Sequence, residues 1–197
     1  MIVAVVLAAP PAFAATAAPA KGKAATTAGA TGTLPELTIL YGDDHAFGLI
    51  VPQGWTVDDT SGINSKIRVV LYPKGQSWAS APNVMYVNPL HQKQEERRTL
   101  RQMIEKDIAD FKKQAPHGAV SAQEPLQTAA AQSAEVRYFA QDGGAPTEAV
   151  AYVAEDQLVM LLVLQSRDGA GFQKSLPAFR SLVAGYRFVI GGIQTPK

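Results

Sequence analysis

Cysteine is absent from the 197 residues. That gap excludes disulfides, thiolate metal sites, a cysteine nucleophile and an acylated-cysteine anchor. A chain of this length does not need disulfides, because it can bury enough apolar surface to hold itself together. An excess of charge is missing too: 18 Lys+Arg stand against 17 Asp+Glu, a formal net charge of +1. Binding along a nucleic-acid backbone needs a basic surplus, so nucleic acid is not an expected partner. A permanent membrane span needs about 20 apolar residues in sequence, whereas the N-terminal run Ile2-Val3-Ala4-Val5-Val6-Leu7-Ala8-Ala9 is cut by Pro10-Pro11. Catalytic signatures are also wanting. There is no Gly-x-Ser-x-Gly, Ser-x-x-Lys, His-Glu-x-x-His, Gly-x-x-x-x-Gly-Lys or Gly-x-Gly-x-x-Gly. These gaps disfavour the enzyme classes that carry such motifs, although a site assembled from distant residues leaves no motif behind.

What the N-terminus does contain is an apolar run followed by Ala12-Phe13-Ala14, a small-x-small pattern of the secretory type. No Lys or Arg precedes the run, which departs from the usual basic start of such signals. The reading divides the chain into a signal peptide over 1–14, an Ala/Thr/Gly tether over 15–33, one domain over 34–190 and a tail over 191–197. The tether is too poor in large apolar side chains to offset the entropy of ordering it. The expected location is periplasmic or extracellular.

Within the domain, hydrophobic period sets the expected elements. Leu37-Thr38-Ile39-Leu40-Tyr41 and Phe47-Gly48-Leu49-Ile50-Val51 read as a hairpin, with Phe47, Leu49 and Val51 on one side. Pro52-Gln53-Gly54-Trp55 ends the second strand, and Thr56-Val57-Asp58-Asp59 leads into a polar loop over 60–66. Extended segments follow at 67–72 and 84–88. Leu100, Met103, Ile104, Ile108 and Phe111 recur at spacings of three and four and predict a helix over 93–114. Four strands are expected next, at 119–126, 134–141, 148–155 and 157–166. Their connections are short, so neighbours run antiparallel. Leu158-Val159-Met160-Leu161-Leu162-Val163-Leu164 is apolar on both faces and is the expected centre of the sheet. A second helix starts near Phe172 or Ser175, with Ser175 as cap, Pro177 in the first turn and Gly185 as its close. A final edge strand spans 186–190. The expected architecture is α+β: helices packed on a mainly antiparallel central sheet.

Phe47-Gly48-Leu49-Ile50-Val51-Pro52-Gln53-Gly54-Trp55 resembles the F-x-I-x-x-P-x-G-W opening of the PsbP-like superfamily. That group includes the extrinsic photosystem P protein, the Mog-type nuclear import factor and bacterial envelope proteins of the DcrB kind. The similarity in element order covers most of 37–188. It implies an αβα sandwich with an antiparallel central sheet and mostly non-catalytic accessory or binding roles. Pro52 and Gly54 would shape the strand exit and Trp55 would pack into the core. The members differ so widely in partner that no functional residue carries over, and no feature assigns the chain to the photosynthetic branch.

Three groups of residues are candidates for function. Trp78, in the breaker-rich loop 73–82, is either a contact residue or a lid on the core. Arg97, Arg98 and Arg101 form a basic cluster suited to an anionic headgroup or an acidic partner, although Glu95, Glu96 and Glu105 at helical spacing favour a self-neutralised face. Asp43, Asp44 and His45 offer oxygen and imidazole ligands for a divalent cation, although turn chemistry explains Asp and Gly there more simply. His91 and His117 stand alone in sequence. The expected function is that of an exported, non-catalytic accessory or binding domain with a protein partner in the cell envelope and no cofactor. The alternatives are a small-ligand or divalent-metal carrier and an unrecognised hydrolase.

Overall fold

The computed structural model describes residues 37–41, 45–92, 97–141, 144–156 and 158–191. The fold is organised by β9 (Leu158–Ser166), in which seven consecutive residues, Leu158 to Leu164, are buried. A strand apolar on both faces must be covered on both, and it is the middle member of a seven-stranded sheet. The order is β3 (Trp55–Asp58), β4 (Val69–Pro73), β5 (Asn83–His91), β9, β8 (Glu148–Ala154), β7 (Ser133–Ala140), β6 (Ala119–Gln127). A separate three-stranded sheet has β2 (His45–Ile50) between β1 (Leu37–Tyr41) and β10 (Arg187–Gly191). All strand pairings in both sheets are antiparallel.

One face of the large sheet is closed by α2 (Gly169–Gly185) and the small sheet. Phe172, Leu176, Phe179, Leu182 and Val183 of α2 join Leu40, Phe47 and Leu49 of the hairpin in one core with Leu71, Met85, Ala149, Ala151, Met160 and Leu162. Fully burying a side chain of this size contributes about 1.5–3 kcal/mol, so this layer carries most of the packing. The opposite face meets α1 (Leu100–Gln114), whose only fully buried side chain is Ile104. Phe111 of α1 stands edge-on to Phe139 of β7 with ring centroids 5.1 Å apart. The result is the expected α+β sandwich, with unequal cover on its two sides.

Local chemistry explains where the elements depart from the sequence reading. Trp55–Asp58 is an edge strand rather than the start of a loop, because it pairs with β4 over Trp55↔Pro73 to Asp58↔Val70. The Asp58 carboxylate closes the turn after it, accepting from the Thr60 and Ser61 backbone N–H at 2.8 and 2.9 Å, both their hydroxyls and the Tyr72 hydroxyl. α1 begins at Leu100, not near residue 93. Thr99 and Gln102 form a reciprocal capping box that defines that start. α2 begins earlier than expected, at Gly169, where the Asp168 carboxylate accepts from the Gly171 N–H at 2.7 Å. Ser175 is therefore a buried residue of the helix interior, and Pro177 lies inside the helix rather than in its first turn.

Two glycines act for different reasons. Gly54 has φ +84° with open space around its Cα, so backbone freedom is what the Pro52-to-Trp55 turn needs. At Gly185 an added Cβ meets the Ile50 Cβ at 2.7 Å and the Ile50 backbone nitrogen at 3.1 Å, so close approach of α2 to β2 excludes a side chain. Alanine in a helix usually gains up to about 1 kcal/mol over glycine. Gly185→Ala is expected to do the reverse and destabilise by about 1–3 kcal/mol, read as a lower urea midpoint at unchanged slope; a raised midpoint contradicts the packing described.

Candidate functional site

Alternation along β8 sends Ala149, Ala151 and Val153 into the α2 core and Glu148, Val150 and Tyr152 toward α1. Register then places Tyr86 of β5 in line with Val163 of β9 and Val150 of β8, on that same face. Asp107 projects onto it from α1, and its carboxylate accepts a hydrogen bond from the Tyr152 hydroxyl. The α1 face of the sheet thus gathers two carboxylates and two phenols from two strands and a helix.

Burial governs how these groups ionise. It pushes the Glu148 carboxyl up to about 7, with the nearby Asp107 charge adding to the effect. Burial also raises Asp107, partly offset by the Tyr152 hydrogen bond. Burial, then the charges of Glu148 and Asp107, lift Tyr86 well above the ordinary phenol range. Tyr152 is raised by burial and by Asp107, with Arg137 opposing. Arg137 itself is committed elsewhere: it donates to Glu135 Oε2 through both terminal nitrogens at 3.3 Å and to the Val136 carbonyl at 2.8 Å.

Trp78 reaches this face from the β4–β5 loop. Its half-buried indole stands perpendicular to the Tyr86 ring, with centroids 6.4 Å apart. The sequence candidate therefore borders the carboxylate pair. The basic cluster lies elsewhere. Arg97 donates to the Asp156 carbonyl beside the β8–β9 turn, Arg101 pairs with Glu105 at 2.8 Å, and Arg98 has an exposed side chain and a backbone N–H on Gln92 Oε1. Trp78 precedes the start of β5 and Arg97 follows its end, roughly 25 Å along the strand, so the structure does not join them in one patch.

Asp43 and Asp44 lie outside the described residues. His45 opens β2 instead of sitting in the turn; it is buried, stacks on Phe47 and lies 5.3 Å from the His91 ring. Two histidines separated by 46 positions in sequence thus meet, a proximity that reading each alone did not show. His117 is exposed beyond α1. Among the described residues no group of three or more His, Cys, Asp or Glu is assembled for a metal ion. Nearby, Glu155 accepts from the Tyr186 hydroxyl at 2.9 Å and from Gln132 at 3.1 Å.

No protein-family model and no curated protein matches the chain. In structure it is similar to cyanobacterial PsbP (CyanoP) from Synechocystis sp. PCC 6803, determined in solution. The TM-score is 0.51 over 83% of this chain and 98% of that one, at 9% sequence identity. The fold is PsbP-like.

Asp107, Glu148, Tyr152 and Tyr86 were not among the sequence candidates. Asp107 carried a signal: with Leu100, Ile104 and Phe111 it falls at helical spacing on the apolar stripe, where a charge is out of place. Glu148 carried a weaker one, as the residue that strand alternation puts beside Val150 and Tyr152. Tyr86 carried none, because only the β5–β9–β8 register brings it near. Among the described residues no helix of this PsbP-like domain is long and apolar enough to cross a membrane.

Because the folded state holds the Glu148 proton more tightly than the unfolded chain does, its contribution is full below about pH 4.5 and is lost as pH rises through about 7. Asp107 acts in the same sense. Glu148→Gln is therefore expected to gain about 1–3 kcal/mol on the native protein between pH 4 and pH 8, measured by urea unfolding at each pH. A difference that stays constant with pH contradicts the burial of this carboxyl.

Proposed function

We propose that this chain is an exported, non-catalytic accessory domain that docks on a protein or complex of the cell envelope, with residues 1–14 as its signal peptide and 15–33 as its tether. The observation that carries the reading is Trp78: a half-buried indole placed by a loop on the rim of a polar face, in a domain whose other large apolar side chains mostly close the core. Partly exposed tryptophan with polar groups around it is the common anchor of protein interfaces. The PsbP-like fold agrees with this reading, since such folds host functions through surface sites rather than through one conserved chemistry. The unequal cover of the sheet adds support: α1 leaves the Asp107 and Glu148 carboxyls half-buried, above the buried phenols of Tyr86 and Tyr152.

The docking reading predicts that tagged wild-type protein recovers one or more envelope proteins from a detergent extract and that Trp78→Ala recovers them at a tenth or less of that level, as expected for loss of an interface anchor. Quantitative mass spectrometry of the two eluates makes the comparison. Equal recovery removes Trp78 from the interface and the proposal with it.

A further inference from the structure

The α1 face has an excess of hydrogen-bond acceptors over donors. Glu148 receives no hydrogen bond from any described residue, and Asp107 takes one, from Tyr152. The Tyr86 side chain is only 6% exposed, and its hydroxyl makes no hydrogen bond among the described residues. The described cations that act on these groups are already occupied: Arg137 by Glu135 and the Val136 carbonyl, and Lys106 by Asp110, which also pairs with Lys113. Once both are ionised, a half-buried carboxylate pair beside an unpartnered phenol is costly unless a cation arrives to satisfy it.

We infer that this face receives a lysine or arginine side chain of the docking partner, held by Glu148 and Asp107 and flanked by Trp78 and Tyr86. The inference rests on the docking reading above and names the chemistry that the partner brings. An ammonium or guanidinium supplies several donors at once, which matches an acceptor-rich face. The neighbouring indole and phenol rings suit a weakly hydrated organic cation, which gains from aromatic faces. A divalent ion instead asks for six or more oxygens in a closed shell, and no such group of three or more acidic or histidine ligands is present among the described residues. Because burial puts the Glu148 carboxyl at about 7, capture strengthens as pH rises through neutrality. Among the described residues, Arg137, Glu135, Lys106 and Asp110 are the other charged groups around the face, and each already has a partner.

The chain has two tryptophans, and Trp55 is buried in the core, so the Trp78 indole N–H gives a separate NMR signal with an internal reference. The probes are blocked pentapeptides Gly-Ser-X-Ser-Gly with X as arginine, lysine or glutamine, titrated into full-length protein at pH 8 and pH 6. The arginine and lysine peptides are expected to shift the Trp78 signal saturably and leave Trp55 in place, with the glutamine peptide inert. Glu148→Gln and Asp107→Asn, two isosteric changes either of which suffices if the other fails to fold, are each expected to weaken binding about tenfold. Glu105→Gln, on the exposed side of α1, is expected to change nothing, and binding is expected to weaken at pH 6.

Any of three results overturns the inference: an equal response to the glutamine peptide, undiminished binding by both variants, or zinc or calcium chloride shifting Trp78 first and blocking the peptide. Peptide failure alongside partner loss in Trp78→Ala sinks the cation site and leaves docking standing; peptide binding alongside unchanged partner recovery does the opposite.

Discussion

The double-sided burial of β9 is the constraint from which the rest follows. Seven consecutive apolar residues at the centre of a seven-stranded sheet cannot face water on either side. One side is sealed by five buried apolar side chains of α2 together with the β1–β2–β10 sheet. The other is covered by α1, the Trp78 loop and the turn before β4, where an added Cβ at Gly62 would meet Val70 at 2.8 Å. Among the described residues the second cover is the thinner one, because α1 buries one side chain fully and presents Asp107 among its apolar residues.

That asymmetry sets the electrostatics. Carboxylates tolerate an interior only when paired or protonated. Asp107 has Tyr152 as its donor. Glu148 has no donor among the described residues and instead holds its proton to about neutral pH. On the exposed side of α1 the same residue types behave differently: Asp110, flanked by Lys106 and Lys113, is held down at about 2 by those cations. The contrast between two aspartates three positions apart on one helix comes from which way each faces. A surface that keeps a half-buried carboxyl near neutrality without a donor among the described residues is disposed to bind something that completes it.

Much of the fold was legible because its signals are local. The hairpin, the central strand and the core face of α2 follow from periodicity, and Leu176, Phe179, Leu182 and Val183 are buried as that periodicity requires. Helix starts were less legible. Thr99-x-x-Gln102 is a capping box hidden behind the charged stretch 93–98, and Ser175 with Pro177 imitates a cap that Asp168 provides seven residues earlier. Strand β3 was missed because its pairing with β4 is not local and its last residue is occupied in a turn. Of the site, Trp78 was visible as an aromatic among loop residues and Asp107 as a charge on an apolar stripe. The convergence of Tyr86 with Glu148 depends on the register of three strands, Tyr86 of β5 lying more than sixty positions from Glu148 of β8 and Val163 of β9 in sequence. The meeting of His45 with His91 likewise joins two sheets and leaves no trace in either neighbourhood.

The central claim is that the α1 face of the sheet holds Glu148 half-buried beside Asp107 without a donor among the described residues. Its most direct test is an NMR titration of the ¹³C-labelled side-chain carboxyl carbons, with Glu148→Gln identifying the resonance. The account predicts a Glu148 midpoint near 7, displaced downward in Asp107→Asn. A Glu148 midpoint in the ordinary glutamate range, about 4 to 4.5, and indifferent to Asp107, would contradict it.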